Sequence, residues 1–225
     1  MTIKVLVFDL DDTLYDELEY VRSGLKHVAE VLSERFRWDV EDTDRQLQAS
    51  LAVSRSKIFD RVLAQKGVFT PELIDQCVAL YRKHWPSIRI PNRTKRLLKK
   101  LAKQYPLYVV TDGHAFVQQR KLDVLGLLDT DLIKKCFVTY EFGQDYVKPS
   151  PKCFEEIASL EGCSTEEVVY IADNIDKDFV GIKPLGFKTI RLNQGQHKDK
   201  KPKPEQEAEH VADDIFAAID LLTEL

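Results

Sequence analysis

The run Ile3-Lys4-Val5-Leu6-Val7-Phe8 is mostly apolar, rich in β-branched and aromatic residues, and stops abruptly at a carboxylate, Asp9. A strand this apolar has to be covered on both faces, which is the situation of strands in parallel sheets. Similar runs recur at Leu107 to Val110, Val168 to Ile171 and Lys188 to Leu192, with helical periodicity between them. Strands that alternate with helices predict βαβ units, and hence an α/β core on a Rossmann-like parallel sheet.

The stretch from Tyr15 to about Trp85 interrupts that rhythm. Leu18, Val21, Leu25, Val28 and Leu32 recur at three- and four-residue steps and mark one face of a helix that Asp16 can cap. Ile58, Phe59, Val62 and Leu63 mark another, with Gly67 as its left-handed stop. Thr70-Pro71 opens a third, and the weaker stretch Asp39 to Val53 also reads as helical. The sequence therefore predicts a small all-helical domain over residues 15–88, inserted into a core made of 1–14 and 89–225. Tyr15, Tyr20, Arg22, His27 and Arg55 within or beside it read as a solvated face.

Composition excludes some functions. A net charge of -4 does not suit a general binder of nucleic-acid polymers. No apolar run reaches the roughly 18–20 residues that a membrane span needs, and the first residues lack the pattern of a signal peptide. The four cysteines, Cys77, Cys136, Cys153 and Cys163, form no CxxC pair. These features lead to the expectation of a cytoplasmic protein without a membrane partner, monomeric or homodimeric. The Lys- and Pro-rich stretch from Gln194 to His210 reads as an exposed loop. The closing helix is expected to bury Val211, Ile215, Ala218, Ile219 and Leu222.

The chemistry gathers where apolar runs end. Asp9, Asp11 and Asp12 follow the first run directly. Three neighbouring carboxylates repel one another, and a hard divalent ion such as Mg2+ relieves that repulsion. Val169-Tyr170-Ile171-Ala172 ends in Asp173, followed by Asn174 and, five residues after Asp173, by Asp178. If the two strands are parallel neighbours, Asp9 and Asp173 emerge at one sheet edge, where open α/β folds bind ligands. Thr111-Asp112-Gly113 offers a hydroxyl and backbone N–H groups suited to phosphate oxygens. Lys148, ahead of Pro149-Ser150-Pro151, could bring positive charge to the same place.

In this order, these pieces resemble the motifs of the haloacid dehalogenase superfamily, over essentially the whole chain. Asp9-Leu10-Asp11-Asp12-Thr13 is similar to its first motif, Thr111 to the second, Lys148 to the third, and Asp173 with Asp178 to the fourth. The helical insert resembles the cap of the branch that includes phosphoglycolate phosphatase and β-phosphoglucomutase. The resemblance implies a phosphoric monoester hydrolase acting on a small-molecule phosphate ester. In that reading Asp9 is the nucleophile and forms an aspartyl-phosphate, and Asp11 is the acid and base. Mg2+ is held by the side chains of Asp9 and Asp173 and the backbone carbonyl of Asp11. Thr111, Asp112, Gly113 and Lys148 bind the phosphoryl group, and Asp178 and Asn174 support the metal ligands. Asp11 itself favours phosphate over halide chemistry, because dehalogenases lack it. Two departures stand out: Ala172 where Gly is frequent, and Asp112 where Asn is frequent. A phosphomutase and a non-catalytic binding relative are the alternatives.

Overall fold

The computed structural model describes residues 2–128 and 130–223. Six strands make one parallel sheet: β1 (Val5–Phe8), β2 (Leu107–Thr111), β3 (Lys135–Val138), β4 (Val168–Ala172), β5 (Lys188–Leu192) and β6 (His210–Ala212), in the order β3-β2-β1-β4-β5-β6. The helices among the described residues are α1 (Glu17–Phe36), α2 (Val40–Val53), α3 (Ile58–Gln65), α4 (Pro71–Lys83), α5 (Asn92–Leu101), α6 (Ala115–Val124), α7 (Lys152–Glu161) and α8 (Ile215–Asp220). None of the described helices is long and apolar enough to cross a membrane.

Every residue of β1, β2 and β4 is buried, as the continuous apolar runs require. Phe8 lies opposite Val109 on β2 and opposite Ile171 on β4. The chain runs outward through β2 and β3, then returns to the other side of β1 at β4. That reversal makes the carboxyl ends of β1 and β4 the switch point of the sheet. Beneath it, Val7, Tyr108, Phe154, Tyr170 and Phe179 belong to one buried cluster, with Phe154 edge-on to Tyr170 at 4.7 Å between ring centres. Each large apolar side chain buried this way contributes about 1.5–3 kcal/mol.

By its contacts the chain divides into two compact units, one of residues up to Glu17 with Arg89 onward, the other Leu18–Ile88. The second unit is helical, with a core that includes Leu25, Val28, Leu32, Leu47, Val62, Leu63 and Cys77. Thr70 caps α4 by accepting from the Leu73 N–H at 3.1 Å. Gly67, at φ +70°, follows the end of α3.

Some expectations need correcting. Arg22 and Arg55 are exposed, but Tyr15 and Tyr20 are buried, so they do not belong to a solvated face. Tyr20 packs against the rings of Tyr81 and His84 within the helical unit. Val211 is 45% exposed because it lies on the edge strand β6 and not on the closing helix, where Ile215 and Ala218 are the buried residues. In α5 the basic residues Arg93, Lys95, Arg96, Lys99 and Lys100 are exposed, Leu98 and Leu101 are buried, and Leu97 is half-buried.

Candidate active site

Asp9 is the first residue past β1 and Asp173 the first past β4, and the Asp9 N–H donates to Ile171 O across the pair at 3.0 Å. Parallel pairing thus delivers both carboxylates to the switch point. Oxygens of Asp9, Asp173 and Asp178 lie within 4.8 Å of one another, and all three residues are buried. Burial, only partly offset by the Lys148 charge, pushes Asp9 up to about 7. Asp173 is pushed up to about 9, first by burial and then by the negative charges of Asp9, Asp178 and Asp12. The cluster is short of positive charge and offers only hard oxygen donors, so these residues fit a divalent cation such as Mg2+.

Lys148 sits behind the carboxylates. Its Nζ is 2.7 Å from Asp9 Oδ1, 2.7 Å from Asp178 Oδ1 and 2.9 Å from the Tyr170 hydroxyl. Burial alone would lower the Lys148 pKa, but the charges of Asp178 and Asp9 outweigh it and hold the ammonium charged. Asp178 also accepts from the Asn174 N–H at 2.9 Å, while the Asn174 side chain accepts from the Asp176 N–H at 3.0 Å. Gly181 makes this arrangement possible. Its backbone lies so close to Pro149 that any Cβ there would run into the Pro149 carbonyl oxygen.

Asp11 is bound from three sides. Lys121 Nζ donates to both its oxygens, at 2.7 and 2.9 Å, Gln118 Nε2 to Oδ2 at 3.0 Å, and the Tyr15 hydroxyl to Oδ1. Burial would raise its pKa, but the Lys121 charge and these hydrogen bonds bring the net shift below the usual value. Gln118 Nε2 also donates to Thr111 Oγ1 at 2.6 Å, which leaves the Thr111 O–H to donate elsewhere.

The remaining expected residues are placed as follows. Asp112 is turned into its own framework: Oδ1 accepts from Thr139 Oγ1 at 2.6 Å and the Lys148 N–H at 3.2 Å, and Oδ2 from Lys177 Nζ at 2.8 Å. Its pKa falls below normal because Lys148 and Lys177 outweigh the effect of burial. Gly113 has φ +139° and packs near Gln118. A cavity of about 220 Å³ opens over the cluster, and its walls include Asp9, Asp11, Thr111, Asp112, Asp173 and Asn174. Lys148, Asp178 and Gly113 are not among its lining residues.

Four further lining residues were not anticipated as site residues: Glu17, Lys177, Gln196 and His197. The last two belong to the loop read as merely exposed. Asp12 ties that loop down: Oδ2 accepts from the Gln196 N–H at 2.9 Å, its carbonyl from Gln194 Nε2 at 2.8 Å, and Oδ1 from the Glu17 N–H at 3.0 Å. Gly195, at φ +67°, lies against the Asp12 side chain where a Cβ would not fit. Gln118 and Lys121 were also missed. The available signal was two polar residues on the buried face of α6, which also carries Val117 and Leu122.

A model of the haloacid dehalogenase-like hydrolase family matches residues 6–192. The chain belongs to that family. Among curated relatives of this haloacid dehalogenase-like hydrolase, the glyceraldehyde 3-phosphate phosphatase of Methanopyrus kandleri is 29% identical over 215 residues, 89% of this chain and 88% of its own. That of Methanocaldococcus jannaschii is 28% identical over 232 residues, 99% and 98% of the two chains. The N-acylneuraminate-9-phosphatase of Homo sapiens is 23% identical over 216 residues, 85% and 83%. Among solved structures, the HAD-hydrolase YfnB from Bacillus subtilis, bound to magnesium, matches with a TM-score of 0.67 at 20% identity over 99% of both chains, a likeness of fold. With this family and these relatives, the haloacid dehalogenase-like hydrolase described here is a phosphoric monoester hydrolase.

Proposed function

We propose that the protein is a Mg2+-dependent phosphatase that hydrolyses a small-molecule phosphate monoester through an aspartyl-phosphate on Asp9. The observation that carries this is the convergence of Asp9 and Asp173 at the switch point, with Asp11 and Thr111 on the same cavity wall. The side chains of Asp9 and Asp173 and the backbone carbonyl of Asp11 would hold Mg2+, which would supply the positive charge that lets an anionic nucleophile approach an anionic phosphate. Lys148 fixes Asp9 by one oxygen, which leaves Oδ2 to attack phosphorus. Thr111, its hydroxyl accepting from Gln118, donates to a phosphoryl oxygen. Asp11 gives a proton to the departing oxygen and afterwards takes one from the water that cleaves the acyl-phosphate. Asp178 and Asn174 steady Lys148 and the metal-binding loop. Asp112 acts through the turn it braces, with the N–H groups of Asp112 and Gly113 available to phosphate oxygens.

We assign recognition of the leaving group to the helical unit, acting as a cap domain over residues 15–88, and place the enzyme in the cytoplasm. The names of the curated relatives put glyceraldehyde 3-phosphate first among compounds to test, followed by sugar-acid phosphates, and favour hydrolysis over phosphoryl return to the sugar. The test is phosphate release from a panel of sugar phosphates, nucleotides and FMN, with and without Mg2+. Activity requires the metal, and Asp9→Asn lowers turnover by about a thousandfold or more. Metal-independent activity, or an active Asp9→Asn enzyme, overturns the mechanism.

A further inference from the structure

The Asp11 carboxylate is more crowded than an acid and base should be. Each oxygen receives two donors: Oδ1 from Tyr15 and Lys121, Oδ2 from Lys121 and Gln118. A carboxylate has about four lone-pair positions, so all of them are taken. In this arrangement Asp11 has nothing left with which to meet a leaving-group oxygen or a water. Lys121 is the central donor. It is itself buried, its side chain 4% exposed, and it reaches Asp11 from α6, 110 residues away in sequence.

We propose that Lys121 is a positioning residue for Asp11: its grip on both oxygens fixes the carboxylate beside Thr111, and when Asp11 takes up a proton from solvent one of its four donors is displaced and the new O–H is directed at the leaving-group oxygen, which receives that proton as its bond to phosphorus breaks. Gln118 completes the device. One Nε2 donates to both Asp11 and Thr111, so the group that contacts phosphate and the group that handles the proton share one side chain. A phosphoryl group drawn to the Thr111 hydroxyl is thereby aligned with Asp11. Without Lys121, Asp11 keeps only its Tyr15 and Gln118 donors and loses its fixed orientation. Misplacement of a catalytic group by about 1 Å is enough to cost about a hundredfold in rate.

This inference rests on the phosphatase reading, and its test separates the two. Lys121→Met, Lys121→Gln and Lys121→Arg are compared with wild type, all with Mg2+, on an alkyl phosphate and on p-nitrophenyl phosphate. The nitrophenolate departs without protonation, whereas the alkoxide needs a proton. For Lys121→Met, kcat/KM, which reports formation of the acyl-phosphate, falls by about a hundredfold or more on the alkyl ester but less than about tenfold on p-nitrophenyl phosphate, while kcat falls on both because Asp11 also serves hydrolysis of the acyl-phosphate. Lys121→Arg recovers most of the alkyl-ester rate. If thermal melting shows Lys121→Met to be unfolded, Lys121→Gln, which is uncharged but keeps an N–H donor group, carries the comparison. Equal losses of kcat/KM on the two esters, or no loss on the alkyl ester, overturn the role of Lys121 while the phosphatase reading stands. A wild-type enzyme inert toward both esters overturns that reading, and this inference with it.

Discussion

The Lys148 ammonium lies 2.7 Å from Asp9 Oδ1, a buried contact between residues 139 apart in sequence. The same nitrogen is 2.7 Å from Asp178, so one cation neutralises part of a cluster of acids. Removing it leaves those carboxylates buried and uncompensated. Lys148→Met is expected to lose about 3–5 kcal/mol of stability and most activity. Denaturant unfolding of the metal-free protein, alongside phosphate release, measures both; a stability unchanged within error would contradict the pairing.

Asp173 supplies a pH prediction. Its pKa is pushed by burial from the ordinary carboxylate value of 3.8 up to about 9, so the metal-free native state holds a proton that the unfolded chain gives up. Its contribution to stability is therefore fully present below about pH 4 and is lost as the pH rises toward 9. Asp173→Asn lacks this dependence. The stability of wild type minus that of Asp173→Asn should fall by a few kcal/mol between those limits, read by urea unfolding in EDTA. A flat or rising difference would refute the assignment.

Magnesium should act on the same group with the opposite sign. At about a hundred times its dissociation constant, a cation specific for the native state adds about 2.7 kcal/mol. Wild type is expected to melt higher when Mg2+ is added at pH 7.5, and Asp173→Asn to show little response. Equal responses in the two proteins would move the metal away from Asp173.

Gly181 should not tolerate a side chain. In Gly181→Ala the new Cβ meets the Pro149 carbonyl, and relief requires the backbone next to Lys148 to move. The expected cost is about 1–3 kcal/mol or more, with kcat falling further than stability alone explains. Activity measured well below the melting temperature separates the two effects.

Asp12 ties two loops together and is not expected to be essential for chemistry. In Asp12→Ala the N–H groups of Glu17 and Gln196 lose their acceptor, at about 1–2 kcal/mol. The loop at 194–209 should then be cut faster by trypsin, with Mg2+-dependent turnover reduced but measurable. Complete loss of turnover in a folded protein would give Asp12 a direct role.

The centre of this fold was legible in the sequence because central strands must be apolar throughout. β1, β2 and β4 show it most fully, and the acids after β1 and β4 follow; β5, with Lys188, Thr189 and Arg191, is a mixed run. β3 and β6 were not recognised. They lie at the two edges of the sheet, where Lys135 is exposed and β6 has only three residues, so neither shows a continuous apolar run. Asp9 and Asp173 could be brought together on paper because parallel pairing fixes the edge at which strands end. The donors to Asp11 could not. Tyr15, Gln118 and Lys121 are recruited by packing of α6 and the turn after β1, and a lone Lys or Gln in a helix looks like surface until that packing is known. Asp12 was grouped with the reactive acids by proximity in sequence, yet the turn sends its side chain to the loop around Gln196.

The strand order also sets a timetable. β1 is synthesised first but pairs with β2 and β4, both made much later, whereas the contacts of Leu18–Ile88 are largely local. Closure over short loops is fast and long-range pairing is slow. On the ribosome the helical insert can therefore consolidate while β1 still waits for its neighbours. Until Lys148 and β4 arrive, Asp9 remains an ordinary solvated aspartate. Asp9, the proposed nucleophile, thus precedes Lys148 by 139 residues and gains its environment only once Lys148 and β4 are made, so a truncated fragment carries the first motif without its chemistry.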